Sequence, residues 1–321
     1  MKYEQTTISR LQAEVSRVQK KTYTNWINIY LRPHNMEVTD LYKDLCDGKR
    51  LMKLLEVISN AKLGKPNKGV IRVQKIENVG RALNYIKSKV HLENIGAEDI
   101  VDGNPTLILG LIWTIILRFQ IEEVIQNIEP QQIGPQRTAK EALLLWCQNK
   151  TKGYRNVDVK DFSTSWRDGM AFGALINSHE PDALDMSMLR PDKPIENLTI
   201  AFKVAEECFD IPQMLDPQDV NVPKPDERSI MTYVSSMYQM LNKHRNKNKN
   251  ANRVGKTINQ AIDLSSKINE YEVGIRNLLQ WIRNKSTFFR QSSKNLPTTL
   301  NEVTKALSNF TQYRRVEKSQ K

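Results

Sequence analysis

The sequence predicts an all-α protein: two copies of one helical domain in tandem, followed by long rod helices. Three observations predict this. Apolar residues recur at spacings of three and four in nearly every segment, strand-like alternation is almost absent, and a set of landmarks in the first third returns in the same order about 120 residues later.

The landmarks define the repeat. Asp47-Gly48 followed by Leu51 and Leu55 aligns with Asp168-Gly169 followed by Phe172 and Ile176, an offset of 121. Trp26 aligns with Trp146, Asn78 and Ala82 with Asn197 and Ala201, and Asp99-Ile100 with Asp219-Val220, all at offsets of 119 or 120. The expected organisation is an extension (1–19), a first domain (20–124), a linker (125–136) carrying Pro130, Gly134 and Pro135, and a second domain (137–241). A neck (242–257) and the two helices of a partial repeat (258–321) follow.

Element by element, the periodicity is helical. Val18, Thr22, Trp26, Ile29 and Tyr30 share one face of the opening helix. Leu51, Leu54, Leu55 and Ile58 form the next stripe, and Val79, Leu83 and Ile86 the one after. The run LILGLIWTIIL (107–117) is too short for a bilayer and reads as a buried helix whose all-round apolarity demands partners on more than one side. The second domain repeats the scheme with Leu143, Trp146 and Cys147, then Phe172, Leu175 and Ile176, and finally Ile230, Tyr233, Val234, Met237 and Leu241. Each Asp-Gly pair precedes an apolar helix, as a start signal with a turn residue. In the tail, Ile268, Tyr271, Ile275, Leu278 and Ile282 form one heptad seam and Leu300, Val303, Leu307 and Phe310 a second, divided by Pro297. The polar stretch Asn242 to Ala251 reads equally as a bend or a continuous helix.

Charge is unevenly distributed. The net +12 lies wholly in residues 242–321, with 17 basic and 5 acidic residues; residues 1–241 hold 31 of each. Residues 20–125 have 16 basic and 12 acidic residues, and residues 136–241 have 12 and 16. A basic domain thus precedes an acidic one, and the cationic tail reads as a charged rod face, so no nucleic-acid partner is expected. Three scattered cysteines (Cys46, Cys147, Cys208) and a polar, charged N-terminus without a secretory signal argue for a reducing, cytoplasmic setting. Four scattered histidines, with no HExxH, nucleophile elbow, P-loop or dinucleotide fingerprint, give no sign of an enzyme. No EF-hand loop occurs, so neither a metal nor a cofactor is expected in this chain.

These residues resemble the calponin-homology domain over positions 20–241, in the tandem arrangement of actin-binding heads. The stretches EVISNAKLGKP, IGAEDIVDGN, LGLIWTIILRFQI, EALLLWCQNKT and PDERSIMTYVSSMY are similar to the α-actinin group of the spectrin superfamily, more than to spectrin, filamin or plectin. LLQWI and FTQYRR resemble the first helices of a spectrin-like repeat, which needs a third helix beyond the last residue given. The resemblance implies F-actin as partner, crosslinking through antiparallel dimerisation of a fuller rod, and a place in the cytoplasmic actin cytoskeleton. The alternative is a spectrin-type actin–membrane linker. Calcium would enter only through C-terminal EF-hands absent here.

By the same resemblance, three segments face the filament: Lys20–Leu31, Ile95–Ile121 and Ala139–Lys152. The residues expected to touch actin are Lys20, Lys21, Thr22, Tyr23 and Asn25, then Ile95, Glu98, Asp102, Leu111, Thr114, Ile115 and Arg118, then Lys140, Leu144 and Lys150. Trp26 and Trp146 read as core first and filament contact second. The first domain's small basic bias fits an acidic filament surface. Trp113 and Arg228 are expected to meet as a cation–π latch if the two domains close on each other, the alternative being an ordinary surface arginine. Residues 150–169 interleave Lys150, Lys152, Arg155, Lys160 and Arg167 with Tyr154, Phe162 and Trp166. The resemblance implies a phosphoinositide site there, with aromatics at the lipid boundary; the alternative is a solvated loop with Trp166 in the core.

Overall fold

The computed structural model describes residues 2–69, 71–122 and 138–318, with the side chains of 2–7, 246–253 and 317 outside the description. The expected linker 125–136 lies outside the described residues. All regular structure among those described is helical, and the chain divides into two compact units, Met1–Asn246 and Lys247–Lys321.

In the first unit, α1 (Lys2–Leu31) is one continuous helix, so the extension expected at 1–19 is helical and runs into the first domain. Pro33, which has no backbone N–H to continue the α-helical ladder, helps end it, and Asn35 turns the chain in the left-handed region. The Asn28 amide, buried, donates to Val38 O and accepts from Val38 N, both at 2.8 Å, fixing the return of the chain. The short α2 (Leu41–Asp44) is capped by Asp40. Then follow α3 (Lys49–Ser59), α4 (Arg72–Lys87), α5 (Ala97–Val101) and α6 (Pro105–Ile116), which continues as a π-helical turn, Leu117–Ile121. The second domain comprises α7 (Ala139–Thr151), α8 (Met170–His179), α9 (Pro194–Phe209), α10 (Pro217–Val220) and the first part of α11 (Glu227–Ser292). The polar stretch 242–251 is therefore helical backbone.

The landmarks of the repeat meet in space. Asp47 accepts from Lys49 N at 2.9 Å and Asp168 from Met170 N at 3.0 Å, capping α3 and α8. Between each Asp and its helix stands a glycine at φ 73° (Gly48) or 76° (Gly169). A Cβ on Gly48 would lie 2.7 Å from Asn78 Cβ, and one on Gly169 2.8 Å from Leu198 N. Left-handed φ and close approach together demand glycine at both positions. The asparagines complete the knot: Asn78 Nδ2 donates to Asp47 O (3.0 Å) and Asn67 O (3.1 Å), and Asn197 Nδ2 to Asp168 O (2.8 Å) and Arg190 O (2.7 Å). Each buried amide pins the start of one core helix to the flank of another, a satisfied polar group inside an apolar core.

Trp26 is fully buried and Trp146 nearly so. The core of the second domain is aromatic: Trp166 lies 4.7 Å from Phe172, and Phe172 5.2 Å from Phe202, which stacks edge-on to Tyr233 at 5.1 Å between centroids. Such pairs add about 0.5–1.5 kcal/mol each beyond simple burial.

In the second unit, α11 turns through Pro297 into α12 (Leu300–Gln312). Thr299 and Glu302 form a reciprocal cap, Glu302 N bonding Thr299 Oγ1 and the Glu302 carboxylate accepting from Thr298 N and Thr299 N. Trp281 stacks on Tyr313 at 6.2 Å and Phe289 meets Tyr313 edge-on at 5.0 Å, so the two helices fold back on each other. The seam residues Ile268, Tyr271, Ile275, Leu278, Leu300 and Leu307 nevertheless stay exposed in this hairpin.

Candidate functional site

The two domains of the first unit pack face to face, and the contact is built from α1 and the end of α6 on one side and residues 213–236 on the other. Along α1, Arg17, Lys21 and Asn25 are spaced by four and so share a stripe. Arg17 pairs with Asp219, Lys21 with Asp216, and Asn25 Nδ2 donates to Gln213 O at 3.4 Å. One turn across, Gln19 Nε2 donates to Asp226 at 3.0 Å. The charge split between the domains therefore has a structural use: basic α1 lies along an acidic edge of the second domain.

At the centre is Gln120, in the π turn that ends α6, with 1% of its surface exposed. Its Oε1 accepts from Trp26 Nε1 and, at 3.3 Å, from Tyr30 OH. Its Nε2 donates across the interface to Ser235 Oγ (2.5 Å), Ser236 Oγ (2.9 Å) and Thr232 O (3.3 Å). One amide thus joins the core tryptophan of the first domain to α11 of the second, its two hydrogens shared among three acceptors.

At the rim, Arg228 stands over Trp113, its guanidinium carbon 5.4 Å from the ring centroid. Trp113, Leu117, Glu122, Lys140, Glu227 and Met231 line a groove of about 700 Å³ there. Lys140 reaches across it to Glu227 at 2.5 Å. The half-buried Trp113 and Leu117 are the side of the apolar α6 turned from its own core, which explains a helix apolar all round.

Burial corrects several expected filament contacts. Thr22 and Tyr23 are fully buried, because α1 is covered on one side by its own core and on the other by the second domain. Burial pushes the Tyr23 phenol up, with Asp226 adding to it and Arg228 opposing. Leu111 and Ile115 are also fully buried, in the first domain's core. None of these four offers a surface in this arrangement. Lys21 is committed to Asp216, and Lys20 to Asp40 at 2.8 Å with its ammonium 4.4 Å from the Tyr42 ring centroid. Glu98 is exposed, and Asp102 is exposed but paired with Arg72 at 2.8 Å. Ile95, Thr114, Arg118 and Leu144 are half-buried, Arg118 bonding Glu122 at 2.8 Å.

The segment 150–169 divides in two. Phe162 and Trp166 are fully buried and stacked at 6.1 Å, with Trp166 Nε1 donating to Asp161 O at 2.7 Å. They are core, not lipid-facing, because a helical turn at Thr164–Trp166 folds them inward. Tyr154 is half-buried, its hydroxyl 2.6 Å from Asn177 Oδ1. Lys152, Arg155 and Arg167 are exposed, and Lys160 is paired with Asp158 at 2.7 Å. Lys150 is half-buried; burial and then Arg245 lower its pKa.

Gln120 and the acidic edge at Asp216, Asp219 and Asp226 are the interdomain residues that sequence patterning missed. A glutamine inside an apolar helix end and opposite charge biases in the two copies were their only traces.

Two tandem helical domains closed on each other in this way define a class, and sequence comparison gives it a family. The calponin homology (CH) domain matches residues 17–121 and again residues 137–243, and the chain belongs to that family. It is 46% identical to the erythrocytic spectrin beta chain of Mus musculus over 99% of this chain and 15% of that one. It is 45% identical to alpha-actinin-4 of Gallus gallus over 94% of this chain and 33% of that one. Identity does not separate the two groups, and the chain spans only a minor part of either relative. The crystal structure of the actin-crosslinking core of Schizosaccharomyces pombe fimbrin matches with a TM-score of 0.57 at 18% identity, over 70% of this chain and 48% of that one, which shows the fold alone.

Proposed function

We propose that this chain binds actin filaments through its tandem CH head, and that the closed packing of the two domains holds part of the binding surface covered. The observation that carries this reading is the cover over α1, where Lys21 and Asn25 are paired with the second domain and Tyr23 is buried near its Asp226 and Arg228. A surface that must be uncovered to bind makes affinity depend on the fraction of open heads. The role is one of binding and structure; the relatives are structural proteins, not enzymes. The expected setting is the cytoplasmic actin cytoskeleton, and among the described residues no helix is long and apolar enough to cross a membrane.

High-speed pelleting with F-actin and, separately, with microtubules tests the reading: pelleting with actin alone is expected, and failure to pellet with actin refutes it. In a longer protein, two heads joined by an antiparallel rod dimer would crosslink filaments. This chain carries one head, so low-speed pelleting of bundles is not expected from it. A second reading, a spectrin-type linker between actin and membrane, draws on the spectrin beta chain match over 99% of the chain. Exposed Lys152, Arg155 and Arg167, with half-buried Lys150 beside Arg245, support phosphoinositide binding at the second domain without aromatic insertion. The proposal needs no cofactor, and calcium control would belong to segments outside these residues.

A further inference from the structure

The basic excess of the first domain has one address. Residues 20–125 carry 16 basic and 12 acidic residues, yet residues 61–75 alone hold five cations and no acid. Without that loop the domain has 11 basic and 12 acidic residues. The segments expected to face the filament do not contain it, and none of the interdomain bonds described above involves it.

Between α3 and α4, the stretch 61–69 is held in place. Its backbone is tied down at alternate positions: Leu63 N donates to Glu56 Oε1 at 2.9 Å, Lys65 O accepts from Arg81 at 2.9 Å, and Asn67 N donates to Asn78 Oδ1 at 2.8 Å. Glu56 is used by the backbone, Glu77 by Asn67 at 2.5 Å, and Asp102 by Arg72. Lys62, Lys65 and Lys68 are exposed and have no carboxylate partner among the described residues. Beside them Ile71 and Val73 stand 60% and 62% exposed at the start of α4.

We propose that this loop is a docking surface for an anionic lipid bilayer. Unpaired lysines are hydrated point charges suited to a diffuse negative plane, whereas a folded protein partner favours arginine forks and aromatic anchors seated in pockets. The loop offers no aromatic residue. Its two protruding aliphatics beside the cations supply the second, apolar signal that reversible bilayer attachment needs. The proposal is independent of actin binding.

The test uses the full chain and sedimentation with vesicles of phosphatidylcholine, alone or mixed with phosphatidylserine. At about fivefold per lysine charge removed near an anionic surface, the K62E/K65E/K68E variant, which adds repulsion as well, should lose more than about a hundredfold in partitioning to the mixed vesicles. The neutral K62Q/K65Q/K68Q variant should fall in the same direction, guarding against a folding defect. Reversing Arg283, Arg290 and Lys305 in the tail should cost far less. A fluorophore at V73C in a C208S background should shift to the blue on mixed vesicles only. Equal loss from loop and tail variants, no shift at position 73, or no binding by the parent chain each overturns the proposal. Loss of F-actin pelleting with vesicle binding intact would also overturn it, by making the loop a filament contact. Failure of the parent chain to pellet with actin would sink the actin reading and leave the vesicle result to stand by itself.

Discussion

Replacing Ser235 and Ser236 with alanine should open the head. In the closed arrangement these hydroxyls are two of three acceptors for Gln120 Nε2, which is buried with 1% of the residue exposed. The substitutions leave one long bond to Thr232 O at 3.3 Å. An amide hydrogen stranded in the interface costs about 1–3 kcal/mol. In the open head the same amide meets water, so the cost falls on the closed state alone. The helix should not suffer, since alanine is the best helix former and both serines otherwise bond only Thr232 O and, weakly, Met214 Sδ. The shift toward open heads is then about 5- to 150-fold, and apparent F-actin affinity should tighten by the same factor until open heads predominate. Cosedimentation over a range of actin concentrations measures the affinity, and the distance between labels on the two domains measures opening. If neither changes while the protein remains folded, the polar bridge is not what holds the domains together.

Three other outcomes follow from the same interface and the second domain. Arg228→Glu removes the cation over Trp113 and sets a third carboxylate beside Asp226 and Glu227; at an exposed ring contact of about 0.5–1 kcal/mol, F-actin pelleting should tighten about two- to fivefold, and unchanged or weaker binding would count against the latch. Asp216→Lys places two cations together against α1 and should widen the interdomain distance at low salt, while Lys21→Asp in the same molecule should restore it; the single pair is worth about 0.2–1 kcal/mol and is screened at high salt, so no rescue at low salt would dismiss it. His179, held neutral chiefly by burial and secondarily by Lys150 and Arg245, against an opposing bond to Leu175 O, has its pKa depressed from 6.5 to about 4. Unfolding then takes up a proton in that window, so thermal stability of the second domain should fall from pH 6.5 toward pH 4, and His179→Leu should flatten that slope.

How much of this was legible in the sequence depends on how far apart the interacting residues lie. The repeat was legible because its landmarks are physically joined: Asp47, Gly48 and Asn78 form one knot, as do Asp168, Gly169 and Asn197, so neither member can change alone. Helix faces were legible from period alone, and the core positions of Trp26 and Trp146 came with them. The full burial of Tyr23 was not legible, because periodicity tells which side of α1 meets its own core, while Asp226 and Arg228, which act on its phenol, belong to the second domain. For Phe162 and Trp166 the sequence left two readings open, a lipid boundary or a loop with Trp166 in the core, and the structure shows the second. In a loop rich in cations they mimic an interfacial pattern, and only the turn at Thr164–Trp166 shows that they point inward.

The charge asymmetry between the copies takes on a different meaning in the folded head. A basic first domain suggests attraction to an acidic filament, but Arg17 and Lys21 spend their charge on Asp219 and Asp216. The same two cations cannot serve the filament and the second domain at once. Opening the head therefore adds positive surface as well as area, and the acidic edge of the second domain competes with any acidic partner for α1. Salt then acts on both sides of that competition, weakening closure and weakening filament attraction together. The uncharged Gln120 bridge acts on closure alone. That separates the two effects: charge changes along α1 should alter affinity and salt dependence jointly, whereas the serine-to-alanine change should alter affinity and leave its salt dependence as it was.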